Sequence, residues 1–334
     1  MVIKRVLYWD VAKAVGMFLV VFGHLMFTYD SRGVNTPINQ WIYSFHMALF
    51  FIISGYFFDS SLQKDFKTLI MSKSLQLLVP VISWSVITFI INNLSSMSIE
   101  QVGEGIVCFV KTGGFFKGLW FLKALFVYYI TGYIAIKLLR NNLLAGLVCI
   151  VGISLLPQYG YIYIFPVFFW IGFFLKQNSA WLDSKYMLSI SILISVLSFV
   201  CWKSDYSYIS QSMDPLSFCM RVISGTSWSL VIIQLCKLSV PPPPKKKLIG
   251  SSIIDRISLI GASSLGIYAI HQALFMNTYC ERLYRTVQND NDFILFACSV
   301  VVYLASFGLT KLFMRQNALC KLLIGNTTGA IKSR

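Results

Sequence analysis

The chain has 334 residues, of which 57% are hydrophobic and 12% charged, with a mean hydropathy of +0.70. Soluble domains carry roughly 25% charged residues, so much of this apolar surface must face lipid, which excludes a soluble enzyme. The formal charge of +15 reads as Lys and Arg of cytoplasmic loops rather than a nucleic-acid footprint, and the positions of those residues test that reading.

A bilayer core needs about 20 apolar residues per helix. In chain order such runs are predicted at 11–29, 39–58, 74–94, 119–137 and 142–157, then at 161–176, 183–203, 215–236, 254–277 and 292–314. The first run follows a basic start, and no small-residue cleavage site precedes Tyr29 and Asp30, so it is read as a retained span. The fifth and sixth are short and separated by Pro157–Gly160, which also allows a tight hairpin and a count of nine or eleven. The expected fold is all-α, a polytopic integral membrane protein of about ten transmembrane helices, forming one domain over residues 1–334. The eight cysteines show no C-x-x-C pair and lie mostly in apolar runs, which reads as buried thiols rather than a disulfide frame or metal site.

Loop charge sets the sidedness. With the N-terminus inside and an even span count, inner segments hold about 18 basic residues, among them Lys64, Lys67, Lys73, Lys176, Lys185 and Lys237, and outer ones about 6, including Arg32. Both termini are therefore expected inside. Residues 237–250, with Pro241–Pro244 followed by Lys245–Lys247, read as a stiff cytoplasmic connector, either solvated or lying near anionic headgroups.

Ionisable residues inside spans are costly and usually functional. Lys13, Lys123, Arg221 and Arg256 fall within or at the edge of spans, as do Asp10 and Asp255, and the chain has three histidines, His24, His46 and His271. A lone span histidine is commonly a hydrogen-bonded packing residue. Here the sidedness puts all three in the outer half of the membrane, at the level of Trp120 and Lys123. Lys13 and His24 are eleven residues apart, so they share one helix face about 16 Å apart. Lys13 also stands at i, i+3 from Asp10, which allows a structural ion pair. Ser54 precedes Gly55, a pattern more typical of a close helix contact than of a nucleophile.

At these residues the chain resembles the acyltransferase-3 family. Asp10, Lys13 and His24 match the family's opening pattern of an acid, a cation and a histidine, with Lys13 where Arg is common. Phe45–Tyr56 resembles the second helix of its fucose 4-O-acetylase-like branch, with Ala48 where Pro is common. Leu119–Phe126 and Ser264–His271 resemble that branch's Trp-Phe-Leu and Leu-Gly-Ile-Tyr…His motifs. The four motifs stand in family order across about residues 5–275.

The resemblance implies transfer of an acetyl or other acyl group from acyl-CoA, with acetyl-CoA the expected donor substrate and no bound cofactor or metal, to a hydroxyl of a cell-surface sugar or polysaccharide, as in capsule or exopolysaccharide synthesis. His24 is the expected base or acyl carrier, with His46 and Lys123 as oxyanion donors. Lys13, Asp10 and Arg221 are assigned to the donor, and Trp120 and His271 to the acceptor. Nothing in the chain resembles the esterase-like domain of some members, so the membrane part or a partner is expected to complete the transfer. Other readings stay open: a lipid-linked saccharide transporter or flippase, disfavoured by the lack of a mid-span carboxylate, an acyltransferase with a non-sugar acceptor, and a non-enzymatic scaffold. The oligomeric state is also open, a homo-oligomer included.

Overall fold

The computed structural model describes residues 6–30, 32, 35–93, 119–155, 164–206, 214–240, 249–276 and 291–325. Among them there are helices and no strand. In chain order these are α1 (Leu7–Tyr29), α2 (Pro37–Tyr56), α3 (Asp59–Leu62), α4 (Phe66–Lys73), α5 (Val79–Asn93), α6 (Trp120–Leu139) and α7 (Asn142–Ser154). They continue with α8 (Pro166–Gln177), α9 (Lys185–Val200), α10 (Pro215–Ser239), α11 (Ile249–Ala262), α12 (Ser264–Ile270), α13 (Asp292–Met314) and α14 (Asn317–Leu319). Single π-helical turns occupy Ser74–Leu78, His271–Phe275 and Cys320–Ile324.

Several starts follow from capping chemistry, since a side-chain oxygen satisfies an orphan N–H of the first turn. Thr36 caps α2 ahead of Pro37, Asp65 caps α4, Asn141 caps α7, Ser184 caps α9, and Asp214 caps α10 ahead of Pro215. The Thr68 backbone N–H holds the Asp65 carboxyl below the usual carboxylate range.

Among the described residues six stretches are long and apolar enough to cross a membrane: Leu7–Tyr29, Pro37–Leu62, Phe66–Ile91, Trp120–Leu139, Pro215–Ser239 and Asp292–Met314. Ile253–Ala262 and Ser264–Phe275 add a seventh if the broken pair counts as one span. This is a multi-pass helical membrane protein. The predicted runs at 142–157, 161–176 and 183–203 carry helices of 13, 12 and 16 residues. At 1.5 Å per residue these reach only about 18–24 Å, short of a straight crossing of a roughly 30 Å core. The connector lies mostly outside the described residues: its start, Lys237–Ser239, is the last turn of α10, and α11 begins at Ile249. Of the cysteines, Cys149, Cys236 and Cys320 are buried as expected, but Cys201, Cys219 and Cys298 are exposed. Hydropathy places a residue in a helix without saying which way it points.

The helices gather into two compact units, one from residues 1–57, 167–264 and 289–301 and the other from 58–166, 265–288 and 302–334. In the first, α1 packs on α2, α10 and α11, and α10 packs on α2 and α9. Glycines set the closest approaches. A Cβ on Gly55 would land on the Phe169 carbonyl and one on Gly172 on the Ile52 carbonyl, so α2 and α8 touch backbone to backbone through a reciprocal pair. Gly261 of α11 meets the Asp10 carbonyl in the same way, and Gly225 of α10 faces Ala48 and Phe168. Both α9 and α10 bury serines. Ser195, Ser198, Ser227 and Ser229 are buried, and each hydroxyl donates to a carbonyl three or four residues back. At the end of α1, Arg32 donates to Asp30 (2.8 and 2.7 Å) and to Asp292 (2.5 Å), tying this corner to the start of α13. These hydrogen bonds raise the Arg32 pKa.

In the second unit α5 packs on the Cys320–Ile324 turn, where the Trp84 indole donates to the Leu323 carbonyl (2.8 Å). Gly325, at φ +77°, presses on the Gln76 carbonyl. Tyr133 of α6 donates to the Lys64 carbonyl (3.0 Å) and stacks on Phe66.

The reciprocal glycine contact has a measurable consequence. Gly55→Ala and Gly172→Ala are each expected to destabilise the detergent-solubilised protein by about 2 kcal/mol or more, because backbone cannot yield as a side chain does. Gly152→Ala, with nothing within 4 Å of its Cβ, is the control, and a shared fall in thermal midpoint across all three would refute the assignment.

Candidate active site

Asp10 lies in the first turn of α1 and is buried. Its carboxylate pairs with Lys13 at 2.6 Å, one turn on, where the Lys13 side chain is 26% exposed. The structural pairing weighed from the sequence is therefore present. Aromatic rings surround this end of α1: Trp9 lies 4.3 Å from Tyr56 and 5.0 Å from Tyr8, between ring centroids. Two further ammonium groups arrive here. Lys176 sits 5.0 Å from the Tyr56 ring, and Lys237 sits 5.5 Å from the Tyr8 ring while pairing with Asp183 at 2.5 Å. The sequence reading counted both as loop charges; the structure gathers them around the residues that flank Asp10 and Lys13.

α1 runs unbroken from this end to His24, so the predicted face-sharing spacing of about 16 Å holds. His24 is half-buried. Its ring lies 6.5 Å from that of Tyr43, and the His46 ring lies 4.8 Å from the same Tyr43 ring on an edge. Gly23 permits this, because Ile42 and Tyr43 fill the space its Cβ would occupy. Two of the three predicted histidines thus meet around one phenol that the sequence reading did not single out. Tyr43 stands one turn before His46 on the same face of α2, which is the signal that could have found it.

His46 is fully enclosed, and its Nδ1 lies 2.8 Å from the Ile42 carbonyl. A carbonyl only accepts, so Nδ1 carries the hydrogen, and the neutral ring presents a bare Nε2. This bears on the predicted role: neutral His46 offers a lone pair, not the donor that an oxyanion needs. His271, in the second unit, repeats the device, with Nδ1 2.9 Å from the Ile267 carbonyl at the start of a π turn.

Beside His271, in the same unit, the Tyr268 ring lies 5.8 Å away and contacts Phe121 at 5.7 Å. Trp120 lies 5.3 Å from Phe165, and Lys123 is half-buried on the same helix, α6. The outcome for Arg221 is different. It is completely buried, with Nε donating to the Tyr206 carbonyl at 2.7 Å. It stands sixteen positions before Lys237 on α10, about 24 Å away, so it lies far from the Lys13 end to which the sequence reading assigned it.

Lys73 was also read as a loop charge. It closes α4 inside the apolar stretch Phe66–Ile91, its ammonium 3.5 Å from the centroid of the Tyr129 ring and 3.4 Å from Gln76 Oε1. Asp65 was the legible clue, since a capping residue there starts the helix well before residue 74.

Residues 6–312 match the family model described as an acyltransferase domain. The chain belongs to the acyltransferase-3 family. Among curated proteins, this acyltransferase-3 chain is 26% identical over 232 residues to Nodulation protein NolL of Mesorhizobium japonicum, covering 61% of the chain and 59% of that protein. It is 26% identical over 224 residues to Nodulation protein NolL of Sinorhizobium fredii, covering 61% of the chain and 60% of that protein. The chain therefore spans about three-fifths of the length of the curated relatives it matches. No solved structure matches it.

The Asp10–Lys13 pair invites a double-mutant cycle. Breaking a fully buried pair costs roughly 3–5 kcal/mol, and the partial exposure of Lys13 lowers the expectation for Lys13→Met to about 2 kcal/mol. Adding Asp10→Asn should recover at least half of the loss in thermal unfolding. Strictly additive losses would mean that the pair does not stabilise α1.

Proposed function

We propose that this chain is an O-acyltransferase of the cell membrane, of the fucose 4-O-acetylase-like kind. In this reading it moves an acetyl group from acetyl-CoA to a hydroxyl of a surface sugar or polysaccharide. The observation that carries the reading is the arrangement along α1: an anchored ammonium at one end and, on the same face, a histidine that meets a second imidazole around Tyr43. The family supports acyl transfer as the chemistry. In this reading the Lys13 end and both chain termini are cytoplasmic, which Lys237 beside Tyr8 supports.

A sugar hydroxyl is a weak nucleophile near neutral pH and needs a positioned base. His24 accepts its proton as the oxygen attacks the thioester carbonyl. The tetrahedral intermediate then collapses with C–S cleavage, and the departing sulfur takes the proton back from His24. In a two-step form the His24 ring first attacks the thioester, C–S cleavage releases the thiol with the ring's proton, and the sugar hydroxyl then attacks the acyl-imidazole and returns its proton to the ring. His46, with Nε2 bare, holds a hydroxyl or an N–H by accepting from it. Lys123 and Trp120 serve the oxyanion and the sugar face, His271 the acceptor, and Lys13 the anionic donor, with Asp10 orienting it.

The test is proton NMR of surface polysaccharide from cells expressing the protein. O-acetyl methyl signals are expected with the wild type and reduced at least 100-fold with His24→Ala, as befits loss of a base. Lys13→Arg should keep activity and Lys13→Met lose it. A stably inserted His24→Ala that retains a tenth of the signal refutes the base assignment, and the absence of O-acetylation with the wild type refutes the sugar acceptor.

A further inference from the structure

Tyr43 lies against both histidines of the first unit and takes no part in the proposed proton transfers. It is 8% exposed and sits in a cluster of buried apolar side chains with Phe22 and Met26 of α1, Ile42 of α2 and Leu295 of α13. Gly23 admits it there: a Cβ at that position would come within 3.0 Å of Ile42 and 3.2 Å of the Tyr43 ring, tighter than most such contacts. Packed among side chains of three helices, the ring is a fixed wall.

Two imidazoles use that wall, and they are held differently. His46, one turn further along α2, meets the ring on an edge at 4.8 Å with an interplanar angle of 75°. Its tautomer and rotamer are already set by the bond from Nδ1 to the Ile42 carbonyl. His24 meets the ring at 6.5 Å, tilted by 50°, and is only half-buried. The terminal torsion of a histidine side chain is broad and roughly two-fold. A half-turn about it trades Nδ1 for Cδ2 and Nε2 for Cε1, which takes the lone pair off its target. A rigid ring beside the imidazole restricts that torsion.

We propose that Tyr43 is a positioning residue, whose ring holds the His24 imidazole in the orientation that aims its lone pair at the acceptor hydroxyl. The inference rests on the reading of His24 as the base. The contacts to both imidazoles are made by the ring, so its shape matters and its hydroxyl does not. Misplacing a reacting group by about 1 Å can cost on the order of 10²-fold in rate. Loss of the wall therefore falls on kcat, and KM, set by the residues that bind donor and acceptor, stays.

The experiment uses the full chain in lipid nanodiscs, with acetyl-CoA and extracted surface polysaccharide as substrates and with histidine labelled with carbon-13 at Cε1. The chain has three histidines, so three imidazole signals are expected, and His24→Ala identifies its own by deletion. Tyr43→Leu should lower kcat about 10-fold or more with KM within about 2-fold. Its His24 signal should broaden or split while that of His271 keeps its line shape. Tyr43→Phe should keep most of the wild-type kcat and a single sharp His24 signal. Leu295→Ala, cut from the same cluster, should lower the thermal midpoint and leave kcat and the His24 signal unchanged. Gly23→Ala, which displaces the Tyr43 ring instead of deleting it, should reproduce the broadening and decides the matter if Tyr43→Leu fails to insert.

A sharp, single His24 signal in these variants would overturn the role. So would a loss of kcat in Leu295→Ala equal to that in Tyr43→Leu, which would make Tyr43 a packing residue. A Tyr43→Phe as slow as Tyr43→Leu would give the role to the hydroxyl and overturn the ring. If the wild type transfers no acetyl group, the acyl-transfer reading fails, and the His24 line shape alone decides whether Tyr43 holds the imidazole.

Discussion

The contact between Gly55 and Phe169, returned by Gly172 against Ile52, is the constraint on which the first unit depends. In a lipid environment an apolar side chain gains little by leaving hydrocarbon for another apolar side chain, so helices associate through close backbone approach and dense dispersion contacts. α2 is held against α8 in this way, and α1 is held against α11 where Gly261 admits the Asp10 backbone. With both helices fixed, Gly23 lets Tyr43 approach α1 directly beside His24. Small residues in two helices thus set the geometry of the polar ones.

The polar groups meet a second constraint. A ring N–H without an acceptor in a dry interior is expensive, and His46 and His271 both solve this with their own helix, donating Nδ1–H to the carbonyl four residues earlier. The bond fixes the ring rotamer and the tautomer together. In His46 it leaves the lone pair on Nε2, which is the preorganisation a hydroxyl acceptor requires. The π turn that begins at His271 widens the helix there, a distortion common at functional sites.

Much of the helical layout was legible, because hydropathy and capping residues are local signals. Helices occupy every predicted run, and the shared face of Lys13 and His24 needed only that α1 be continuous. What remained hidden was pairing. Spacing along one helix cannot show that Arg221 bonds the Tyr206 carbonyl, or that Lys176 and Lys237 approach rings that flank Asp10. Lys73 was missed because the third span was started at residue 74, beyond the Asp65 cap. The short helices α7, α8 and α9 were read as full spans because a hydropathy run does not report where the backbone turns.

The proposed chemistry gives a reason for the polarity of α1. A donor carrying phosphates at one end and a thioester at the other is an elongated molecule, and α1 presents a cation and a histidine about 16 Å apart along one face. A donor held at Lys13 and extended along that face delivers its carbonyl toward His24 without a large movement of the protein. Asp10 then does more than neutralise. By pairing at i, i+3 it keeps the ammonium on the face that His24 shares, and its own backbone is fixed by Gly261. The glycine contact, the ion pair and the histidine form one chain of constraint, in which packing orients the cation and the helix carries that orientation to His24.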